Sequence, residues 1–267
     1  MLIVLALMGG GKLHAQDDGV NYPYHVFNPV PREQMREFSI DRPDVTESPN
    51  TVDAGHFQFE GDLIKWTRDS QYHKSNRTIS VFSGLYKMGL LKSWDIHLGL
   101  EMYNIYKDFE GHTLEKGYGT TTIRLKHNFW GNDGDTKTAL GVIPYISFPS
   151  SDQGGEEVFG VGFPFSFAVD ENLGGGAQFQ VDFLPDGEGG HDAAFLQTIV
   201  IGGALIGDMD FYAELAGYFL QDGDPYYFAN GGLIYNIGQN IKVDVATNLG
   251  LTKTTPTRAY VGLSFRI

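Results

Sequence analysis

The sequence contains no cysteine, which removes disulfide frameworks, thiolate metal sites and cysteine nucleophiles at once. It is also poor in cations: 19 Lys and Arg stand against 33 Asp and Glu, a formal charge of −14 at pH 7. That balance repels phosphate backbones and argues against nucleic acid as a partner. Long apolar runs are missing too. Beyond the first residues nothing approaches the roughly 20 apolar residues of a spanning helix, so a helical membrane protein is excluded. No cofactor fingerprint is present: Gly9-Gly10-Gly11-Lys12 has neither the spacing nor the flanking strand and helix of a phosphate loop. What abounds is Gly (35), Phe (19) and Tyr (14) in 267 residues. Glycine breaks helices and aromatics favour strands, so the composition points to an all-β protein.

Leu2–Met8 form a short apolar run followed by small and polar residues ending at Ala15. The run is too short to span a bilayer and reads as the core of a secretory signal peptide over residues 1–15. The usual basic residues before it are missing, so either the start is truncated or the segment is not a signal peptide. Residues 16–53 hold Pro23, Pro29, Pro31 and Pro43, many charges and no sustained period. They read as a periplasmic N-terminal leader lying outside the main domain.

From residue 54 to 267 the chain alternates. His56-Phe57-Gln58-Phe59-Glu60-Gly61-Asp62-Leu63 switches polar and apolar at each step, as do Trp94–Met102, Ala177–Phe183, Ile241–Val245 and Ala259–Ile267. This is the period of a strand with one wet and one apolar face. About twelve strands are expected, near 55–68, 76–88, 94–107, 117–130, 137–148, 158–169, 173–184, 193–205, 210–220, 226–236, 241–252 and 258–267. They exceed the five or six residues of a typical globular strand and suit a tilted bilayer crossing. Turns near 89–93, 131–136, 170–172, 206–208 and 237–240 alternate with a generally longer set near 69–75, 108–116, 149–157, 185–192, 221–225 and 253–257. A soluble sandwich alternates equally well, but mid-strand acids and amides beside so many glycines favour a polar interior and a lipid-facing apolar surface. Trp66, Tyr86, Trp94, Phe129, Trp130 and Tyr145 fall near strand ends, as aromatic girdles require. The expectation is a transmembrane antiparallel up-and-down β-barrel. Ile79-Ser80-Val81-Phe82 and Ile199-Val200-Ile201 do not alternate cleanly, which leaves the parity of the second, sixth and eighth strands open.

Several segments also resemble a known family. They are Phe27-Asn28-Pro29-Val30-Pro31-Arg32-Glu33, Asp41-Arg42-Pro43-Asp44-Val45-Thr46-Glu47-Ser48-Pro49 and Ala54-Gly55-His56-Phe57-Gln58-Phe59-Glu60. Leu140–Tyr145, Phe148-Pro149 and the closing Tyr260–Arg266 extend the match. The chain is similar to bacterial outer-membrane "transporter" proteins grouped as the meta-pathway phenol-degradation family. The resemblance implies an outer-membrane barrel that passes small, hydrophobic or aromatic solutes, with outer-membrane lipid and the barrel-assembly machinery as partners. Such barrels tend to end in an aromatic residue; here Ile267 ends the chain and Phe265 stands two places earlier.

Turning the apolar residues to lipid assigns a polar set to the lumen: Gln58, Glu60, Asp62, Asp95, His97, Glu101, Arg124, Lys126, Gln178, Gln180, Asp182, Glu214, Lys242, Asp244 and Arg266, with Tyr212, Asn248 and Tyr260 beside them. A twelve-strand lumen is narrow, so these residues either select solutes or satisfy one another. Passive passage of small solutes is the expected function, with anions disfavoured by the net charge. A non-transporting structural or adhesion barrel is the alternative. A membrane esterase would need His127 or His191 beside a serine nucleophile, and no GxSxG occurs. No catalytic residue, metal or cofactor is expected: the acidic stretches 132–135 and 186–192 read as turns.

Overall fold

A computed structural model describes residues 22–71, 74–149, 156–221 and 223–267. The signal peptide expected over 1–15 and the Gly9–Lys12 stretch lie outside the described residues. The strands are β1 (Phe57–Gln71), β2 (Lys74–Leu91), β3 (Trp94–Lys107), β4 (Thr113–Gly117), β5 (Thr121–Trp130), β6 (Thr138–Phe148) and β7 (Val158–Ala168). They continue as β8 (Leu173–Pro185), β9 (His191–Ile206), β10 (Met209–Leu220), β11 (Tyr226–Ile237), β12 (Ile241–Gly250) and β13 (Thr257–Arg266). Twelve of them form a closed antiparallel barrel, β1 pairing with β2 on one side and β13 on the other. The short β4 pairs only with the end of β3, in a segment expected to be loop. A second correction concerns the expected turn at 69–75, because β1 and β2 run on to pair as far as Gln71 and Lys74.

Burial is inverted relative to a water-soluble protein. Asp95, His97, Lys126 and Ser264 are at most 1% exposed, whereas Phe82, Ile199 and Leu215 are 57–58% exposed. An ionised group is stable in such a place only when its partners are inside with it, and an outward apolar belt is stable against lipid. Trp66, Tyr86, Trp94, Phe129 and Trp130 are exposed on that outer surface. Tyr145 is not a girdle residue: its hydroxyl turns inward and donates to Asp182 Oδ1 at 2.6 Å.

The open parity of the second strand has a backbone cause. Phe82 has φ 54°, the only positive value at a non-glycine among the described residues. A bulky residue rarely adopts that conformation, and an unpaired residue in a strand shifts side-chain alternation by one. Ser80 and Lys87, of opposite parity, are therefore both buried. The register of β1 shifts in the same row, between Asp62 and Ile64. In β9 alternation is masked for a different reason. Ala194 and Leu196 are apolar yet face the interior, where Leu196, Ala216 and Phe228 form a small cluster.

Candidate functional site

The leader enters the barrel. Residues 36–53 form a loop with two limbs tied together: Arg36 Nε meets Asp53 Oδ1 at 2.7 Å, Ser39 and Ser48 hydroxyls lie 2.7 Å apart, and Ser48 N–H donates to Asp41 Oδ1 at 3.0 Å. The sequence reading set this segment outside the main domain; its backbone and side chains instead bond to inward groups of nine strands. A loop without a core of its own is ordered only where such partners replace water, and the alternating strands supply them at every level.

On the ingoing limb, the Asp41 carboxylate lies between Lys87 (2.6 Å) and Lys126 (2.7 Å), and its N–H donates to Glu60 Oε2 at 2.7 Å. Lys87 also pairs with Glu60. Burial alone would raise the Asp41 carboxyl, but Lys126 and Lys87 outweigh it and hold the group well below the usual range. Arg42 is clamped more tightly, its Nη1 on Asp62 (2.8 Å) and its Nε and Nη2 on Asp244 (2.9 and 2.8 Å). Register explains the clamp. Asp62, Gly262 and Asp244 stand directly opposite one another on β1, β13 and β12, so the glycine leaves a floor between two carboxylates. A Cβ on Gly262 would sit 1.9 Å from Arg42 Nη2.

At the apex, Thr46 N–H donates to Glu214 Oε1 at 2.7 Å and Val45 N–H to Oε2 at 2.9 Å, while Asn230 donates to the same carboxylate. Val45 packs on the cluster of Leu196, Ala216 and Phe228. Tyr212 and Tyr260 direct their hydroxyls at Pro43 O. On the outgoing limb Glu47 pairs with Arg124, and its N–H donates to Gln178 Oε1 at 2.8 Å. Lys126 donates to Ser48 O (2.8 Å), Asn128 to Pro49 O (3.0 Å), and Val52 N–H to Asp95 Oδ2 (2.8 Å). Losing one member of such a buried pair strands the other, at a cost of about 3–5 kcal/mol.

The other residues proposed for the lumen do not all converge on the loop. Gln58 bonds Ser39 O and Glu60, and Gln178, Gln180 and Asp182 form a ladder ending on the Tyr145 and Tyr218 hydroxyls. Glu101 stays near the long-loop end, accepting from Asn104 and Thr120 N–H. Lys242 and Arg266 flank the Phe38 ring at the short-turn end. His97 Nε2 donates to Asp95 Oδ1 at 2.9 Å, and its Nδ1 has no partner among the described residues. Outside the lumen His127 stacks on Trp94 at 4.2 Å, and His191 contacts Glu157 O; among the described residues neither bonds a serine side chain. Of the 186–192 stretch only residues 186–190 form a turn, held by the Asp186 carboxylate, which accepts Glu188 and Gly190 N–H; His191 and Asp192 already belong to β9. Asp108, Glu110 and His112 place ligand atoms within 4.8 Å of one another on an exposed loop. Sequence reasoning missed Lys87 because the Phe82 bulge hides its parity. It missed the loop because the charged Asp41–Pro49 element has no period of its own, although the excess of lumen charges was a signal that something must neutralise them.

Two recesses flank the loop. One, of about 480 Å³, opens at the long-loop end between the apex and Lys65, Tyr106, Asn248 and Arg258. The other, of about 680 Å³, lies at the short-turn end around Phe38, Asn240, Lys242 and Arg266.

The architecture is similar to solved outer-membrane barrels. A COG4313 outer membrane channel from Pseudomonas putida F1 superposes with a TM-score of 0.55 at 9% identity, covering 86% of this chain and 100% of that one. The KdgM porin gives 0.47 at 12% identity, covering 76% and 97%, and the CymD monoaromatic hydrocarbon channel 0.42 at 9%, covering 79% and 87%. No curated protein matches the chain at a significant level. The model of the family described as "Putative MetA-pathway of phenol degradation" matches residues 40–267, taking in the loop apex as well as every strand, and the chain belongs to that family.

Proposed function

We propose that the barrel is a passive outer-membrane passage for small solutes of hydrophobic or aromatic character, restricted by its own leader. The observation that carries this reading is the pair of recesses lying on opposite sides of one thin loop inside a closed, apolar-belted barrel. The short turns are periplasmic and the long loops external, as in other outer-membrane barrels. A solute in the outer recess then meets the apex, Pro43 to Thr46, as the last barrier. The recess volume of about 480 Å³ lies in the ordinary range for a small-molecule site and is too small for polymers. Membership of a family named for phenol degradation and likeness to an outer-membrane channel support the class of solute. Lipid contacts the outward face, and the closing strand β13 is the segment offered to the barrel-assembly machinery. Most of the lumen residues clamp the loop or line one of the two recesses; His97, Gln180 and Asp182 bond other wall residues.

The test is solute flux into vesicles containing the full-length protein, with swelling and single-channel recording as readouts. Entry of phenol-sized solutes and exclusion of oligosaccharides is the expected result. A barrel that passes neither solutes nor ions would support the sealed structural or adhesion role instead.

A further inference from the structure

The outer recess contains a cation that the barrel itself does not use. Thr67, Arg258, Asn248 and Asn230 stand directly opposite one another on β1, β13, β12 and β11, so they form one inward row around part of the wall. Directly opposite residues share a face, and Thr67, Arg258 and Asn248 of this row border the recess above the loop apex. Arg258 is half-buried and makes no ion pair among the described residues; its guanidinium lies 5.8 Å from the centre of the buried Phe228 ring. Beside it Asn248 is 2% exposed; its Oδ1, an acceptor, has no partner among the described residues, and its Nδ2 amide is the group able to donate to an anion.

Asp62 and Asp69 are the carboxylates whose charge acts on Arg258, and neither forms an ion pair with it among the described residues; Asp69 Oδ1 is itself buried without a partner. Asp62 is shared by Arg42 and Lys65, at 2.8 and 3.1 Å, and Glu101 accepts from Asn104 and Thr120 N–H. Burial, reinforced by Glu214, pushes the Asp44 carboxyl well above its ordinary range. A half-buried guanidinium without an ion pair is complementary to a planar anion, which it can bind through two parallel N–H bonds.

We propose that Arg258, with Asn248 beside it, forms a binding subsite for small organic carboxylates in the outer recess. The carboxylate of the solute meets the guanidinium, and its apolar body lies against Pro43 and Val45 on the floor and the Tyr260 ring on the wall, all of which border the recess. An aromatic monocarboxylate fits both demands; a dicarboxylate does not, because Asp62 and Glu101 would face its second charge. The subsite acts at contact range. The net charge of −14 still slows the approach of anions from solution at low ionic strength. This inference rests on the proposed passage and narrows its solutes.

The test compares benzoate with its neutral isostere benzamide, using calorimetry on the full-length protein in detergent and flux into vesicles. Wild type is expected to bind benzoate in preference to benzamide. Arg258→Gln should weaken benzoate by about tenfold or more and leave benzamide unchanged. Arg258→Lys should fall between the two, keeping charge and losing the fork. Asn248→Ala, which leaves every ion pair in place, provides a second route should Arg258→Gln fail to give a heat-modifiable barrel; it should weaken benzoate severalfold. Equal binding of benzoate and benzamide by wild type, or undiminished benzoate binding in the folded variants, overturns the subsite. Benzoate binding that depends on Arg258 without any flux would retain the subsite and remove the passage.

Discussion

The middle of the lumen and its outer recess use the same kinds of residue differently. In the middle, Asp41, Arg42, Glu47, Lys87, Arg124 and Lys126 are each matched to an opposite charge, and the matches run between the leader and the wall. In the recess, Arg258 lies by the Phe228 ring and Asn248 and forms no ion pair among the described residues, although Asp62 and Asp69 are near. Matched charges in a dry interior fix position, because separating them leaves each without water. An unmatched charge fixes nothing and remains available to a solute. The same strands therefore hold a structural network at one level and an open valence at the next.

The largest way to break this contrast is Arg42→Ala. It leaves Asp62 and Asp244 facing one another across Gly262, and should weaken docking of the loop by about 3–5 kcal/mol. The expected readout is a clear rise in single-channel conductance and faster proteolysis within residues 36–53; unchanged conductance would mean that the loop is not the barrier. Leu215→Arg, on the outward face at mid-strand, should lower barrel stability in vesicles by ~2–4 kcal/mol with conductance unaltered. Gly262→Ala tests the same clamp by crowding alone. With its Cβ placed 1.9 Å from Arg42 Nη2, the guanidinium must shift, and a cost of roughly 1–3 kcal/mol should give a smaller rise in conductance than Arg42→Ala.

The smallest effect expected is that of acid. The folded carboxyl of Asp41 is depressed below its ordinary value of 3.8, so its contribution to docking is fully present above 3.8 and is lost as pH falls through the lower folded value. In an Asp44→Asn background, which removes the other shifted leader carboxyl, conductance should stay level from about pH 7 to pH 5 and rise only in strong acid. A transition near pH 5 would assign control to a different group.

Much of the barrel was legible because a two-residue period is a local property. Gln58, Glu60 and Asp62 alternate with Phe57, Phe59 and Gly61, and no distant contact is needed to see two faces. Legibility failed where a local irregularity or a distant partner intervened. Phe82 breaks the count in β2 and conceals Lys87; Leu196 turns an apolar side chain inward because Val45 of the leader covers it. Tyr145 looked like a girdle residue from its position near a strand end. Its hydroxyl reaches Asp182 because Gly160, directly opposite both residues on β7, leaves the space between them open.

The sequence by itself determined the all-β class, the two-faced strands and the polar character of the inner face, since each follows from composition and neighbouring residues. Only the tertiary structure decided what those inner charges do. Arg42 lies 202 positions from Asp244, and Val45 lies 169 positions from Glu214. Barrel closure brings such residues to one level, and cross-strand register then determines which charges are spent on the leader. Arg258, left unmatched by that register, is a feature no local pattern could reveal.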